Sequence, residues 1–324
     1  MTYPHFVIQM GNGIWKEIEH PYGMLVFLFL AIARSDRHWP SSDHGCTSFR
    51  ETEMGFSMAM NMCILASGSS GNCIYIASAT TGVLIDAGLS GRETAKRLAA
   101  ADAGLDTIRA VCLTHEHSDH IAGLGVLQSR HGWPVYANRG TIDALSADAR
   151  LAALPWKVFA TGSPFVVGDL TLEPFAVSHD AFEPVGFVVS CAEGRVGLVT
   201  DIGVVTHLVR ERLRHCHALV VESNHDEQLL HGADRPWYLK QRIAGRQGHL
   251  SNQSAAELVA DVAGTEVDTV FLTHLSQDCN RPDLALSTMT AHLQTHGLPQ
   301  VAVKLGYADR ISEVWHRTSG RPAP

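Results

Sequence analysis

From Met62 onward the chain alternates short apolar runs with Gly-, Ser- and Asp-rich turns. MCILAS (62–67) and CIYIAS (73–78) read as strands flanking the turn SGSSGN, and TGVLIDAG (81–88) reads as a third. GRETAKRLAAADAG (91–104) has helical periodicity and stops at Gly104. IRAVCLT (108–114) is a buried strand, IAGLGVLQSR (121–130) a helix and WPVYA (133–137) a strand. Residues 158–200 are strand-rich, with hairpin turns at Gly168-Asp169 and Glu193-Gly194. VTHLVRERLRH (205–215) is helical and ALVVES (218–223) a strand. SNQSAAELVADVAG (251–264) is a helix carrying the box Ser254-x-x-Glu257. DTVFLTH (268–274) is a strand, PDLALSTMTAHLQTHG (282–297) a helix opened by Pro282, and QVAVKLG (300–306) a last strand. This alternation predicts an α/β fold, a sheet core with helices on its outer faces.

The first 60 residues do not share the pattern. GMLVFLFLAIA (23–33) is too short to span a bilayer, which takes about 20 apolar residues. It lacks the basic segment that precedes a secretion signal, because Lys16 stands against Glu17 and Glu19. Residues 1–60 are therefore expected to be an extension outside the fold, disordered or absent from the native protein, with 61–324 as the folded domain. Met54, Met58, Met60 and Met62 are candidate starts.

Composition narrows the function. A net charge of −8 excludes a protein that coats nucleic acid through bulk charge, though not a local basic groove. The seven cysteines are odd in number and form no C-x-x-C pair, so a disulfide framework is not expected and a cytoplasmic setting is. No membrane association is expected. Nothing in the sequence fixes the oligomeric state.

The 19 histidines are numerous for this length, and three fall in THEHSDH (114–120). His115, His117, Asp119 and His120 form an H-x-H-x-D-H array directly after a strand. In a turning loop, residues two apart converge on one ion, while the next pair reaches a second. Imidazole and carboxylate suit zinc, iron or manganese. Three more apolar runs end in such a group: AVSHD in His179, GLVTD in Asp201, VFLTH in His274. Each alone is an ordinary strand-end residue. Together they supply seven ligands, enough for two divalent ions.

This set resembles the metallo-β-lactamase fold superfamily from about Met62 to about Trp315. ILASGSSGN, LIDAGLSGR, LTHEHSDHIAGLGVL, VSHDA, VESNHD, RPWYLKQRI, GHLSN and HLSQDCN together resemble its WalJ/YycJ (VicX-like) group of phosphodiesterases and DNA exonucleases. The resemblance implies a four-layer αβ/βα sandwich with the site at the shared edge of the sheets. It implies that His115, His117 and His179 hold one metal, that Asp119, His120 and His274 hold the other, and that Asp201 bridges them. It also implies 5′-to-3′ exonuclease action on DNA through a metal-bridging hydroxide. Asp201 stands where a zinc β-lactamase carries cysteine, and His117 where flavo-diiron reductases carry glutamate.

Metal coordination lowers the pKa of water to about 7, so hydroxide would exist at neutral pH. Asp119 would orient that nucleophile. His249, in QGHLSN, is the candidate proton donor to the leaving oxygen, the alternative being a capping or surface histidine. Asn224 and His225, in ESNHD, are candidate substrate contacts. Ser69 and Asn72, in SGSSGN, either face phosphate or belong to a plain turn. Arg235, Lys240, Arg242 and Arg246 interleave with Trp237 and Tyr238, as a segment that tracks a strand and stacks a base would, or a solvated helix face. The leading expectation is a DNA exonuclease. The alternatives are a small-molecule hydrolase (thioesterase, lactonase or cyclic phosphodiesterase) and a non-catalytic DNA-binding protein.

Overall fold

The computed structural model describes residues 7–9, 15–17, 59–264 and 266–318. β1 (Val7–Gln9) and β2 (Trp15–Glu17) form an antiparallel pair in a unit separate from the rest. The remainder of the expected extension, with the apolar run 23–33 and Cys46, lies outside the described residues. The main fold begins at Ala59, ahead of the expected boundary at 61.

Two seven-stranded sheets form the main unit. The first contains β3 (Ala59–Ala66), β4 (Cys73–Ala77), β5 (Gly82–Ile85), β6 (Ile108–Cys112), β7 (Val135–Ala137) and β8 (Trp156–Val158) in sequence order. The second contains β9 (Phe165–Val167), β10 (Leu170–Ala176), β11 (Val185–Ser190), β12 (Arg195–Val199), β13 (Ala218–Glu222), β14 (Thr269–Thr273) and β15 (Ala302–Leu305). β16 (Trp315–Thr318) then returns to the first sheet and pairs antiparallel with β3. The sequence pattern stops at QVAVKLG and misses it. WHRT carries one core residue, Trp315, too little for periodicity to register.

Every residue of β4, β5, β13 and β14 is buried, which is why these strands read as continuous apolar runs. One face of each sheet packs on the other: Met62, Ile64, Ile76, Val83 and Ile85 meet Leu172, Phe187, Val189, Leu198 and Phe271. The outer face of the first sheet is covered by α1 (Gly91–Ala100), through Leu98, and by α3 (Leu124–His131), through Leu124 and Leu127. Helices α6 (His207–Leu213), α9 (Asn252–Val262) and α10 (Pro282–Thr295) cover the second, through Val209, Leu258 and Met289. The order helix, sheet, sheet, helix is the expected four-layer sandwich.

Four short helices are absent from the apolar pattern: α4 (Arg139–Leu145), α5 (Ala149–Ala152), α7 (Glu227–Gly232) and α8 (Trp237–Ile243). The expected helix 121–130 is split, with α2 (Ser118–Ile121) formed from the histidine cluster itself.

Candidate metal centre

The C-terminal ends of β5, β6, β10, β12, β13 and β14 carry Asp86, His115, His179, Asp201, Glu222 and His274. Three of them turn sharply. Asp86, Asp201 and His274 have φ of 63°, 53° and 54°. A left-handed conformation costs an L-residue about 1–2 kcal/mol, less for Asp, whose side chain bonds locally. Strain of this kind collects where surrounding structure forces a side chain to a functional position. Gly88 locks the loop from the other side, because a Cβ there would sit 1.8 Å from the carbonyl oxygen of Asp119.

The seven expected ligands come together. The ring of His115 lies 4.6 Å from that of His117 and 5.2 Å from that of His179. His120 Nε2 is 3.1 Å from Asp201 Oδ2, and His274 Nδ1 is 3.1 Å from Asp201 Oδ1. Asp119 Oδ2 lies 3.6 Å from His120 Nε2 and 3.8 Å from His274 Nε2. The groups His115–His117–His179 and His115–His120–Asp201 are each close enough to share an ion.

Hydrogen bonding fixes the tautomers. His120 Nδ1 donates to Asp86 Oδ2 at 2.8 Å. His115 Nδ1 donates to Thr114 Oγ1 at 3.0 Å, and that hydroxyl donates on to Asp86 Oδ2. His179 Nδ1 donates to the Gly248 carbonyl at 3.1 Å, and His274 Nδ1 to Glu222 Oε1 at 2.9 Å. Each ring is held through Nδ1, leaving Nε2 as the lone pair, the arrangement metal-binding histidines use. Nε2 of His115, His179 and His274 and Oδ2 of Asp201 are buried and have no hydrogen-bond partner. An orphaned buried polar atom costs about 1–3 kcal/mol, and four converging ones fit a site built for a cation. Burial holds the His115 and His179 imidazoles below their ordinary pKa, which keeps them neutral. Burial opposes charge on His274 as well, but Asp201 and Glu222 outweigh it and raise that pKa. This corner of the site is rich in negative charge.

Sequence reasoning passed over Asp86 and Glu222. Glu222 is fully buried, and its carboxylate accepts from His249 Nδ1 at 2.7 Å, His274 Nδ1 at 2.9 Å, and the amides of Ile202 and Leu250 at 2.9 and 3.2 Å. His249 is thus neither a capping nor a free surface residue. It stands 3.7 Å from Asp201 Oδ1 with its side chain 22% exposed. Burial disfavours its charged form, but Glu222 overrides this and pushes its pKa to about 9.

The expected substrate contacts fare unevenly. Asn224 is buried, its amide donating to the His274 carbonyl at 2.8 Å, so it braces a ligand loop instead of facing substrate. Asn72 is buried too: Oδ1 accepts from Gly68 N, and Nδ2 lies 3.0 Å from both Asp119 Oδ2 and His120 Nε2. Ser67 Oγ, in the same turn, accepts from His274 N at 2.7 Å. SGSSGN is therefore scaffolding for the ligand loops, with Ser69 exposed at its tip. Half of the basic segment is compensated, because Arg235 pairs with Asp278 and Arg242 with Asp180, while Lys240 Nζ donates to the His231 carbonyl and keeps its charge. The acids lie far away in sequence, so the local charge pattern hid them. His225 is buried beside the site.

Residues 81–275 match the beta-lactamase superfamily domain. The chain belongs to this superfamily. Within it, the chain is 37% identical to the exodeoxyribonuclease YycJ of Bacillus anthracis over 243 residues, covering 74% of this chain and 91% of that protein. It is 36% identical to the exodeoxyribonuclease WalJ of Streptococcus pneumoniae over 75% of this chain and 90% of that protein. The metallo-beta-lactamase fold protein YhfI from Bacillus subtilis superimposes with a TM-score of 0.61 at 17% identity, covering 80% of this chain and 99% of that one, and shows the shared fold. The chain thus falls in the YycJ/WalJ branch of the superfamily. Among the described residues, no helix is long and apolar enough to cross a membrane.

Proposed function

We propose that this chain is a binuclear metal-dependent phosphodiesterase that degrades DNA from an end in the 5′-to-3′ direction. The observation that carries this reading is the pairing of a cation-shaped ligand cluster with a histidine hydrogen-bonded to a buried carboxylate beside it, His249 Nδ1 to Glu222 Oε1 at 2.7 Å. Likeness to two exodeoxyribonucleases over nine-tenths of their lengths supports DNA as the substrate.

In this reading His115, His117 and His179 would hold one ion and Asp119, His120 and His274 the other, with Asp201 available to both. Zinc, manganese or iron suits this donor set. When bound, the ions supply Lewis acidity toward a phosphate oxygen and ionise water near neutral pH. The remaining work belongs to the chain. Asp86, Thr114, Gly248 and Glu222 orient the ligand rings through Nδ1. Asn72 fixes Asp119. His249 donates its proton to the leaving oxygen, a role worth about 10²–10⁴-fold in rate. Glu222 keeps that proton in place at neutral pH. The activity is assigned to the main unit, from Ala59 onward.

The test compares metal-reconstituted protein on end-labelled duplex DNA, bis-p-nitrophenyl phosphate and a thioester. Progressive loss of the 5′-labelled terminus as mononucleotide is expected, and His249→Ala should slow it about 10²-fold or more. Turnover of the thioester alone refutes the reading.

A further inference from the structure

A cleft of about 360 Å³ opens between α7, α8 and the start of α9. None of the seven expected ligands lines it. His249 does, and so belongs both to the cleft and to the centre, where it stands beside Asp201 and Glu222. A substituent of a phosphate held at the centre, on the His249 side, therefore leads into this cleft.

Its walls are mixed. Leu230, Leu250 and Ala244 are apolar, while Ser251, Gln241 and Glu227 are polar. Two features single it out. Trp237 lines it while 62% exposed, an indole face left open to solvent. His225 also lines it, is 2% exposed, and its Nδ1 has no hydrogen-bond partner. A buried imidazole without a partner is costly unless something arrives to satisfy it. Glu227, whose carboxylate accepts from Ser251 Oγ at 3.2 Å, and Lys240 line it with opposite charges, so the cleft offers partners to the hydroxyl and amino groups of a nucleotide as well as to its 5′-phosphate. Its volume sits at the lower end of small-molecule sites, about 300–1,000 Å³, too small for a duplex.

We propose that this cleft is the subsite for the leaving nucleoside, with the base stacked on Trp237 and its sugar or base edge hydrogen-bonded by His225. The inference rests on the phosphodiesterase reading and adds where the released unit sits. Released nucleotide length then follows from the cleft, which takes one nucleoside at a time.

The test is a cycle between Trp237→Ala and an abasic site at the terminal nucleotide of the end being degraded. Stacking a base on an aromatic ring is worth about 5- to 100-fold. Each change alone should lower kcat/KM on DNA by that amount, and the two together by no more than either alone. The ratio of DNA to bis-p-nitrophenyl phosphate turnover should fall with Trp237→Ala. Independent, multiplying losses overturn the subsite, as does a Trp237→Ala protein with wild-type rates on DNA. If wild-type protein leaves DNA intact, the phosphodiesterase reading on DNA falls instead, and the cleft is judged by calorimetry with deoxyadenosine monophosphate. Binding that Trp237→Ala abolishes upholds the cleft as a nucleoside site, and no binding overturns it.

Discussion

Replacing Glu222 by Gln should injure two functions at once. The carboxylate takes two imidazole donors on Oε1 and two backbone amides on Oε2. A glutamine can satisfy only one of these pairs. With its oxygen toward Ile202 and Leu250, its amino group confronts His249 and His274, and both rings must turn Nδ1 into an acceptor. His274 then carries its proton on Nε2, the atom it needs for a metal. With the amide reversed, two buried backbone donors lose their acceptor. Each orphaned donor costs about 1–3 kcal/mol, giving roughly 2–6 kcal/mol of destabilisation. Loss of a group that orients a metal ligand typically weakens metal binding about 10- to 100-fold.

The pH dependence separates this account from simple damage. Glu222 is fully buried, which alone would raise its pKa, yet His249 and His274 bring it down to about 2. His249 rises from 6.5 to about 9, worth on the order of 3 kcal/mol, and this is the same interaction counted from the other side. A lowered carboxylate stabilises the fold above its unfolded pKa of about 4.3, and the gain is lost as pH falls through about 2. A raised imidazole stabilises fully below 6.5, and the gain is lost as pH rises through about 9. Wild-type stability, read by thermal unfolding, should therefore fall between about pH 6.5 and 9, and E222Q should lack that limb. At saturating metal, E222Q should lose more activity on DNA, whose alkoxide leaving group needs a proton, than on bis-p-nitrophenyl phosphate, whose nitrophenolate does not. E222Q with wild-type melting, metal content and DNA turnover would refute the reasoning.

Three further outcomes are expected. Chelation should lower the melting temperature and readdition of metal restore it, by about 2.7 kcal/mol at a hundredfold excess over Kd, with metal stoichiometry falling in His179→Ala; melting unchanged by chelator would contradict the orphaned-atom argument. A chain begun at Met58 should unfold like the full chain, whereas one begun at Met62 loses Met60, wholly buried between the sheets, and three pairs of the β16–β3 ladder, at a cost of about 2–5 kcal/mol by denaturant titration. Gly88→Ala, whose Cβ would collide with the Asp119 carbonyl, should reduce metal uptake measured by elemental analysis, and normal uptake would show that the loop can yield.

The layers and most of the strands were legible because their burial is nearly complete, and a fully buried strand announces itself as an apolar run. The seven candidate ligands were legible for a related reason, since each ends such a run or sits in the array that follows one. The same rule, applied evenly, also finds Asp86 after GVLI and Glu222 at the end of ALVVE. Both were within reach, and no histidine beside them drew notice. The charge compensation of Arg235 and Arg242 was out of reach. Their partners Asp278 and Asp180 lie 43 and 62 residues away in sequence, and no local pattern connects them. The contacts of Asn72 and Asn224 were out of reach as well, because a polar residue in a turn next to a site looks the same whether it faces substrate or the backs of the ligands.

What the sequence hid has a common physical origin. α5 and α8 bury no residue, and α7 buries only Leu230, so none of them carries an apolar stripe. Elements without a stripe contribute little to folding free energy and can change with little cost to the core. The strand ends cannot, because Asp86, Asp201 and His274 hold left-handed conformations that only the packed sheets behind them sustain. Reaction chemistry thus rests on the strongly patterned part of the chain, and the walls of the cleft beyond His249 rest on the weakly patterned part. Exchange of residues 227–246 for the corresponding stretch of another superfamily member should then change which leaving group is accepted while the ligand cluster still takes up metal. Loss of metal uptake in such an exchange would mean that α7 and α8 also hold the centre together, and the division drawn between the two parts would fail.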